Sequence, residues 1–500
     1  MTAELLGQAE WIRVEATLGL SSSSQSDRGQ FFTPDLAAKL IADLPATPSG
    51  AVIRVLDPGA GSGMLTAALV ERAVREHWSS QIDVEAIEID ATLIPALRRT
   101  AEAAEAFARQ NQVDVRVHVR EADLIQLWSG IDAELTNDFD LVIMNPPYRK
   151  LAASSWQRMA LGVLGWESPN LYAAFVALGV ECLRDGGQLV AITPRSFANG
   201  PYFGQFRKKL LDEMAFDRLH TFESRSTVFS DTGVLQENIV FSATKNGKRN
   251  HVLITSSQGH RDHQVARTVD YAELVFPTDP EQFIRITTDG HDDDAVQFVS
   301  GMPSLLSTLG LSVSTGRVVD FRCRANLVPK PSDDSVPLVY PGNLRQGTIE
   351  WPKAIGKDQG FQLREESDHK ALMPSGTYVV VKRFSSKEER RRIVAAVWNP
   401  EKNGNSAVAF ENHLNVFHHD GHGLDPELAW GLCLWLNTSV IDRCFRTFSG
   451  HTQVNATDLR SMRYPDEVML RALARGADHL PDQDDLDLLL EQIMWESVVA

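Results

Sequence analysis

The chain has 500 residues, 43% of them hydrophobic and 23% charged, with a formal net charge of −17; it is long enough for two or three domains with their own cores and too apolar to be a disordered chain. Four scattered cysteines, Cys182, Cys323, Cys433 and Cys444, lack CxxC spacing, which argues against a disulfide framework or zinc site and points to a reducing cytoplasm. No run of about 18 apolar residues occurs, and the start lacks a basic segment followed by an apolar one, so neither membrane insertion nor secretion is expected.

Residues 1–27 read as an amphipathic helix and a linker containing Ser21-Ser22-Ser23-Ser24-Gln25-Ser26. Val52-Ile53-Arg54-Val55-Leu56 reads as a buried strand. It runs into Asp57-Pro58-Gly59-Ala60-Gly61-Ser62-Gly63 and a helical pattern from Met64. Glycines allow the tight turn and let the backbone approach a ligand, although the spacing is not that of the usual NAD fingerprint. The next strand, Val84-Glu85-Ala86-Ile87-Glu88-Ile89-Asp90, ends on acids where a ribose diol would be held, Glu88 being the better placed. Residues 113–119 alternate as a strand and lead to Asp123, which can accept from an adenine amino group. Each acid alone is as readily a helix cap; three at successive strand ends point to a nucleoside.

The apolar run Leu141-Val142-Ile143-Met144 ends in Asn145-Pro146-Pro147-Tyr148, whose parts suit methylation of a planar amine. The lone pair of such an amine is delocalised into its ring and must be drawn out before it attacks a methyl sulfonium. The Asn145 side-chain carbonyl can accept one N–H and the Pro146 backbone carbonyl the other, biasing the nitrogen towards tetrahedral geometry. Two prolines hold the acceptors rigid, and Tyr148 offers a flat face for the ring. Asn and Pro are also ordinary turn formers, so the preceding motifs carry the weight.

A doubly wound sheet is expected over about residues 28–245, with Leu235-Gln236-Glu237-Asn238-Ile239-Val240-Phe241 as a late strand and the hydrophilic 244–250 segment as a hairpin turn or boundary. Residues 246–465 alternate strand-like segments with loops, and 466–500 read as a helical tail. A charge of −17 opposes a polyanion, so a nucleic-acid partner requires segregated basic surface. Candidates are Arg207-Lys208-Lys209, the group Lys382, Arg383, Lys387, Arg390, Arg391 and Arg392, and the pair Arg322 and Arg324; each is equally a solvated helix face. His418, His419 and His422 read as solvated loop histidines, and no metal is expected.

In these motifs the sequence resembles the S-adenosylmethionine-dependent adenine-N6 DNA methyltransferases of the gamma class, of the PstI/BsuBI restriction-modification type. Gly29-Gln30-Phe31-Phe32-Thr33-Pro34 is similar to the family's N-terminal cofactor motif, and residues 57–63, Glu88, Asp123 and 145–148 to those that follow. Asn170-Leu171-Tyr172-Ala173-Ala174-Phe175, Leu183-Arg184-Asp185-Gly186-Gly187-Gln188-Leu189-Val190 and the later Gly450-His451-Thr452-Gln453-Val454-Asn455 also resemble family segments. The resemblance implies a class I methyltransferase α/β sheet followed by a mixed α+β target-recognition domain. It implies S-adenosylmethionine held by Phe32, Thr33, Pro34, Asp57, Pro58, Gly59, Gly61, Gly63, Glu88, Asp123 and Asn145, with Phe32 and Thr33 at the methionine end. Catalysis would fall to Asn145, Pro146, Pro147 and Tyr148.

The implied partner is double-stranded DNA with a specific short site, protected from a cognate restriction endonuclease. The target adenine must be rotated out of the duplex, with Tyr148 and Phe229 as stacking plates. Glutamine or RNA methylation needs the same clamp, but neither explains the half of the chain after residue 245; a catalytically silent DNA-binding homologue would not need an intact cofactor loop.

Overall fold

The computed structural model describes residues 5–18, 32–78, 81–129, 135–222, 238–257, 265–277, 279–286, 290–329, 335–385, 389–403, 407–448 and 453–499. The chain forms two compact units, Met1–Thr288 and Asp289–Ala500.

The first unit is built on a nine-stranded sheet in the order β3-β2-β1-β4-β5-β7-β6-β8-β9. Its strands are β1 Val52–Pro58, β2 Gln81–Glu88, β3 Val115–Glu121, β4 Phe139–Met144, β5 Leu183–Pro194, β6 Met214–Phe222, β7 Asn238–Lys245, β8 His251–Ser257 and β9 Val265–Asp270. Strands β1 to β5 pair in parallel, whereas β7 runs antiparallel to both β5 and β6. All six residues of β4 are buried, which is why the run Leu141-Val142-Ile143-Met144 is apolar without alternation: a parallel strand is covered on both faces, and the buried Asp140 is paired with Arg184 at 2.6 Å. Alternate side chains serve different layers. Leu141 and Ile143 pack with helices Leu5–Leu18, Asp35–Asp43 and Met64–Arg75, while Val142 and Met144 pack with helices Leu171–Cys182 and Gly204–Glu213. This is the expected class I methyltransferase architecture, and among the described residues no helix is long and apolar enough to cross a membrane.

The sheet does not stop at residue 245. Segment 244–250 is neither a hairpin between paired strands nor a boundary, because β8 pairs in parallel with β6, one strand beyond, and β9 pairs antiparallel with β8. Val252, Ile254 and Val269 join the same core as Leu219 and Phe241, so the compact unit runs on to Thr288.

The second unit is mixed α+β. Its six-stranded sheet is centred on Tyr378–Lys382, between Ala395–Trp398 and Leu414–His418, and a five-stranded sheet includes Ser335–Val339 and Val408–Phe410. Residues 466–499 belong to this unit. Helix Glu467–Leu473 crosses helix Pro426–Leu436 so closely that a Cβ on Gly431 would lie 1.9 Å from the Leu470 carbonyl oxygen. Helix Gln483–Val499 is tied on by Asp487, whose carboxylate accepts from the Ser439 N–H at 2.8 Å. His418, read from sequence as a solvated loop histidine, is engaged in a turn, near Ser314 Oγ at 3.2 Å and accepting from the Gly421 N–H at 3.0 Å.

Gly431→Ala should force these two helices apart and destabilise the second unit by about 1–3 kcal/mol, the usual range for overpacking. The measurement is amide hydrogen exchange over residues 426–473, and unchanged protection there would contradict the crossing.

Candidate functional site

The motif residues converge because β1 to β4 are parallel neighbours ending at one edge, and the strand order reverses between β1 and β4. Side chains at such a reversal face a crevice beyond the carboxyl ends of the strands. The turn after β1 is strapped to β2, the Gly59 and Ala60 N–H groups donating to the Ile87 carbonyl at 2.8 and 2.9 Å. Gly59, Gly61 and Gly63 have φ of 72°, 60° and 87°, values that L side chains rarely adopt. Gly63 also faces helix Ile94–Gln110, where an added Cβ would come within 3.0 Å of Leu97 and Thr100.

A cavity of about 560 Å³ opens at this edge. Of the residues singled out from sequence, Phe32, Gly59, Gly61, Glu88, Asp123, Asn145 and Pro147 line it. Thr33, Pro34, Asp57, Pro58, Gly63, Pro146 and Tyr148 do not. Thr33 still reaches the site, because its Oγ1 accepts from Asn145 Nδ2 at 2.9 Å. Pro34 precedes helix Asp35–Asp43 and its carbonyl accepts from the Ala38 N–H at 2.9 Å, which places Thr33 at the helix entrance.

Asn145 is held from two sides: Thr33 takes its amide hydrogen, and the Tyr148 hydroxyl donates to Oδ1 at 3.2 Å. Tyr148 thus orients Asn145 through its hydroxyl, a role beyond the stacking face that the sequence reading gave it. Its ring packs edge-on against Tyr172 at 6.2 Å. Burial, and then the neighbouring Tyr172, push the Tyr148 phenol well above its ordinary value, so it stays a donor at physiological pH.

Three acids have distinct settings. Asp57 is buried; Thr66 Oγ1 donates to its Oδ2 at 2.7 Å, while Oδ1 has no hydrogen-bond partner among the described residues. Burial pushes this carboxyl up to about 7, against the Thr66 bonds, with the Glu88 charge adding to the rise. Both Glu88 oxygens accept backbone N–H groups, from Gly61 and Asp90 at 2.8 Å each. Burial raises its pKa and those bonds oppose the rise. Asp123 caps helix Leu124–Ser129 through Oδ1, accepting from Ile125 at 2.8 Å and Gln126 at 3.4 Å, and also lines the cavity.

Sequence reasoning missed Ile89, Leu124, Leu171 and Phe175 as its apolar walls, and Arg149 and Gln157 at its rim. Ile89 is 61% exposed, and a large apolar residue directly after each acid, Ile89 after Glu88 and Leu124 after Asp123, was the available signal. Phe229, residues 29–31 and residues 450–452 lie outside the described residues. A buried carboxylate oxygen without a partner, an acid at the rim and apolar walls fit a nucleoside joined to a cationic amino acid, as in S-adenosylmethionine.

Residues 65–229 match the Eco57I restriction-modification methylase family. The type II methyltransferase M.PstI of Providencia stuartii is 38% identical over 488 residues, 96% of either chain. M.BsuBI of Bacillus subtilis is 39% identical over 483 residues, 94% of this chain and 95% of its own. Among solved structures, the type IIL restriction-modification enzyme MmeI in complex with DNA shares the fold, with a TM-score of 0.54 at 13% identity over 98% of this chain and 73% of that one. The chain therefore belongs to the family of M.PstI and M.BsuBI, and is an S-adenosylmethionine-dependent DNA methyltransferase of the restriction-modification type.

Proposed function

We propose that this enzyme methylates N6 of adenine within a short specific sequence of duplex DNA, as the modification partner of a cognate endonuclease. The observation that carries the reading is the position of Asn145: its carboxamide stands at the tip of β4 in the cavity that Gly59, Gly61, Glu88 and Asp123 also line. An sp² oxygen has two lone pairs, so Oδ1 accepts one hydrogen of a ring amine while the Tyr148 hydroxyl keeps the amide turned. The Pro146 carbonyl takes the other hydrogen, and the nitrogen lone pair is freed for attack. The adenine is first rotated out of the duplex, since a stacked, paired amine is out of reach.

On the cofactor side the bound group supplies the electrophilic methyl. Glu88 would hold its ribose hydroxyls and Asp123 its adenine amine, between walls that include Phe32, Ile89 and Phe175, and the buried Asp57 carboxylate at the start of the glycine turn would supply the countercharge to its ammonium. Target recognition belongs to the second unit, which follows the catalytic one in the chain.

Nucleoside mass spectrometry of plasmid DNA treated with the enzyme should show N6-methyl-2′-deoxyadenosine. N4-methylcytosine in its place, or methylation of RNA alone, would overturn the adenine reading. Asn145→Ala should lower the methylation rate about 100-fold or more, the loss seen when one preorganised polar group is removed, while the cofactor Kd changes by less than about threefold.

Asp57→Asn separates stability from binding. Between about pH 4 and 7 native Asp57 holds a proton that the unfolded chain has shed, so ligand-free stability falls as pH rises through that window and levels off above it. The variant lacks this fall. Its unfolding temperature should exceed the wild type's at pH 8, the margin closing towards pH 4. Its cofactor Kd at pH 8 should rise about tenfold or more, as for a lost charged hydrogen bond.

A further inference from the structure

With a net charge of −17, any phosphate-facing surface must be local, and the structure removes most of the basic side chains that the sequence offers. Arg207 is fully buried, donating to the Phe197 and Glu281 carbonyls at 3.0 Å. Lys209 pairs with Glu213, and Lys382 with Glu389 at 2.7 Å. Arg383 donates to the Asn412 carbonyl at 3.1 Å, Arg391 to the Thr438 carbonyl at 3.0 Å, and Arg392 is fully buried beside Ser385. Lys208 and Arg390 are exposed but single, and Lys387 lies outside the described residues. The side chains of Arg207, Lys209, Lys382, Arg383, Arg391 and Arg392 are thus engaged within the fold.

Arg322 and Arg324 differ. Both are exposed, and neither has an ion-pair or hydrogen-bond partner for its side chain among the described residues. Between Val318 and Asn326 the backbone is fixed: Val318 bridges to Glu411, the Arg322 and Cys323 N–H groups donate to the Val319 carbonyl at 2.9 and 3.2 Å, and Lys357 Nζ clamps Asp320 at 2.9 Å. Asn326 Nδ2 fastens the far end, donating to the Gln362 carbonyl at 3.0 Å and Asp368 at 2.7 Å. On this frame stands Phe321, 62% exposed, with the Arg322 guanidinium over its ring at 5.5 Å. The adjoining segment carries Arg364 and Lys370, also exposed, beside the exposed Glu365 and Glu366.

A rigid loop that exposes an aromatic ring and two uncompensated guanidinium groups suits a polyanion with flat bases: Arg donates in a fixed fork to phosphates and base edges, and is held outward at little entropic cost. We propose that residues 319–326 contact duplex DNA, with Arg322 and Arg324 as the donors and Phe321 propping Arg322 towards the duplex. This rests on the assignment of target recognition to the second unit.

The test is fluorescence anisotropy of the full-length enzyme with a random-sequence duplex of about 40 base pairs across a KCl series, each phosphate contact contributing about 0.9 to the slope of log K against log salt. The Arg322→Ala/Arg324→Ala variant should bind about tenfold or more weakly at low salt, with a slope shallower by about 1–2. Its cofactor Kd and unfolding temperature should match the wild type. Arg322→Lys/Arg324→Lys should keep the slope, and Arg98→Ala, an exposed arginine of helix Ile94–Gln110, should change nothing. An alanine variant with the wild-type slope and affinity within twofold overturns the proposal. A wild-type enzyme that does not bind the duplex at all overturns the target-recognition assignment itself, and this inference with it.

Discussion

The parallel pairing of β1 with β4, Val55 opposite Leu141 and Leu56 opposite Val142, is the contact on which the site depends. These two segments are separated in sequence by two strand–helix units, yet the pairing brings the glycine turn and the Asn145 loop to one edge. It persists because both strands are buried on both faces, their side chains dividing between two apolar layers. A one-residue slip would exchange those layers along the whole strand, so the register is strongly specified. A site assembled from the ends of four strands thereby inherits the rigidity of the sheet, which suits chemistry that needs two acceptors aimed at one nitrogen.

Polar groups around the crevice are held by one another. The Asn145 carboxamide is oriented by Thr33 and Tyr148, and the Glu88 carboxylate by two backbone N–H groups. Asp57 is the exception, with one oxygen bonded to Thr66 and the other without a hydrogen-bond partner among the described residues. A buried carboxylate in that condition is destabilising in its charged form, and burial accordingly raises its pKa. A cationic ligand offsets that cost, which is the basis of the proposed role of Asp57.

In the second unit, much of the basic charge is structural. Arginine forks there satisfy carbonyls at helix ends and loops, Arg391 at Thr438 and Arg383 at Asn412 being examples. That is economical use of a side chain with five donors, and it explains how a chain of strongly negative charge can carry basic runs in sequence without presenting them all to solvent.

Much of the catalytic unit was legible in the sequence, since its signals are local: unalternated apolar runs mark doubly covered strands, and glycines with positive φ mark the bend between strand and helix. The residue chemistry of 57–63, Glu88, Asp123 and 145–148 likewise depends on types and order alone. Where the sheet ends was not legible, because the placement of β8 beside β6 is decided by which apolar face Val252 and Ile254 can cover, not by the turn residues before them. The orientation of Tyr148 was equally hidden: its hydroxyl meets Asn145 and its ring meets Tyr172, a partner that only packing of the helix Leu171–Cys182 brings within reach. The residue types and order of the motifs, with the family resemblance they carry, pointed to a methyltransferase of α/β type followed by a second part. Which charges face solvent, and which oxygens face the crevice, was decided by tertiary structure, because burial and hydrogen-bond satisfaction are properties of neighbours that lie far apart along the chain.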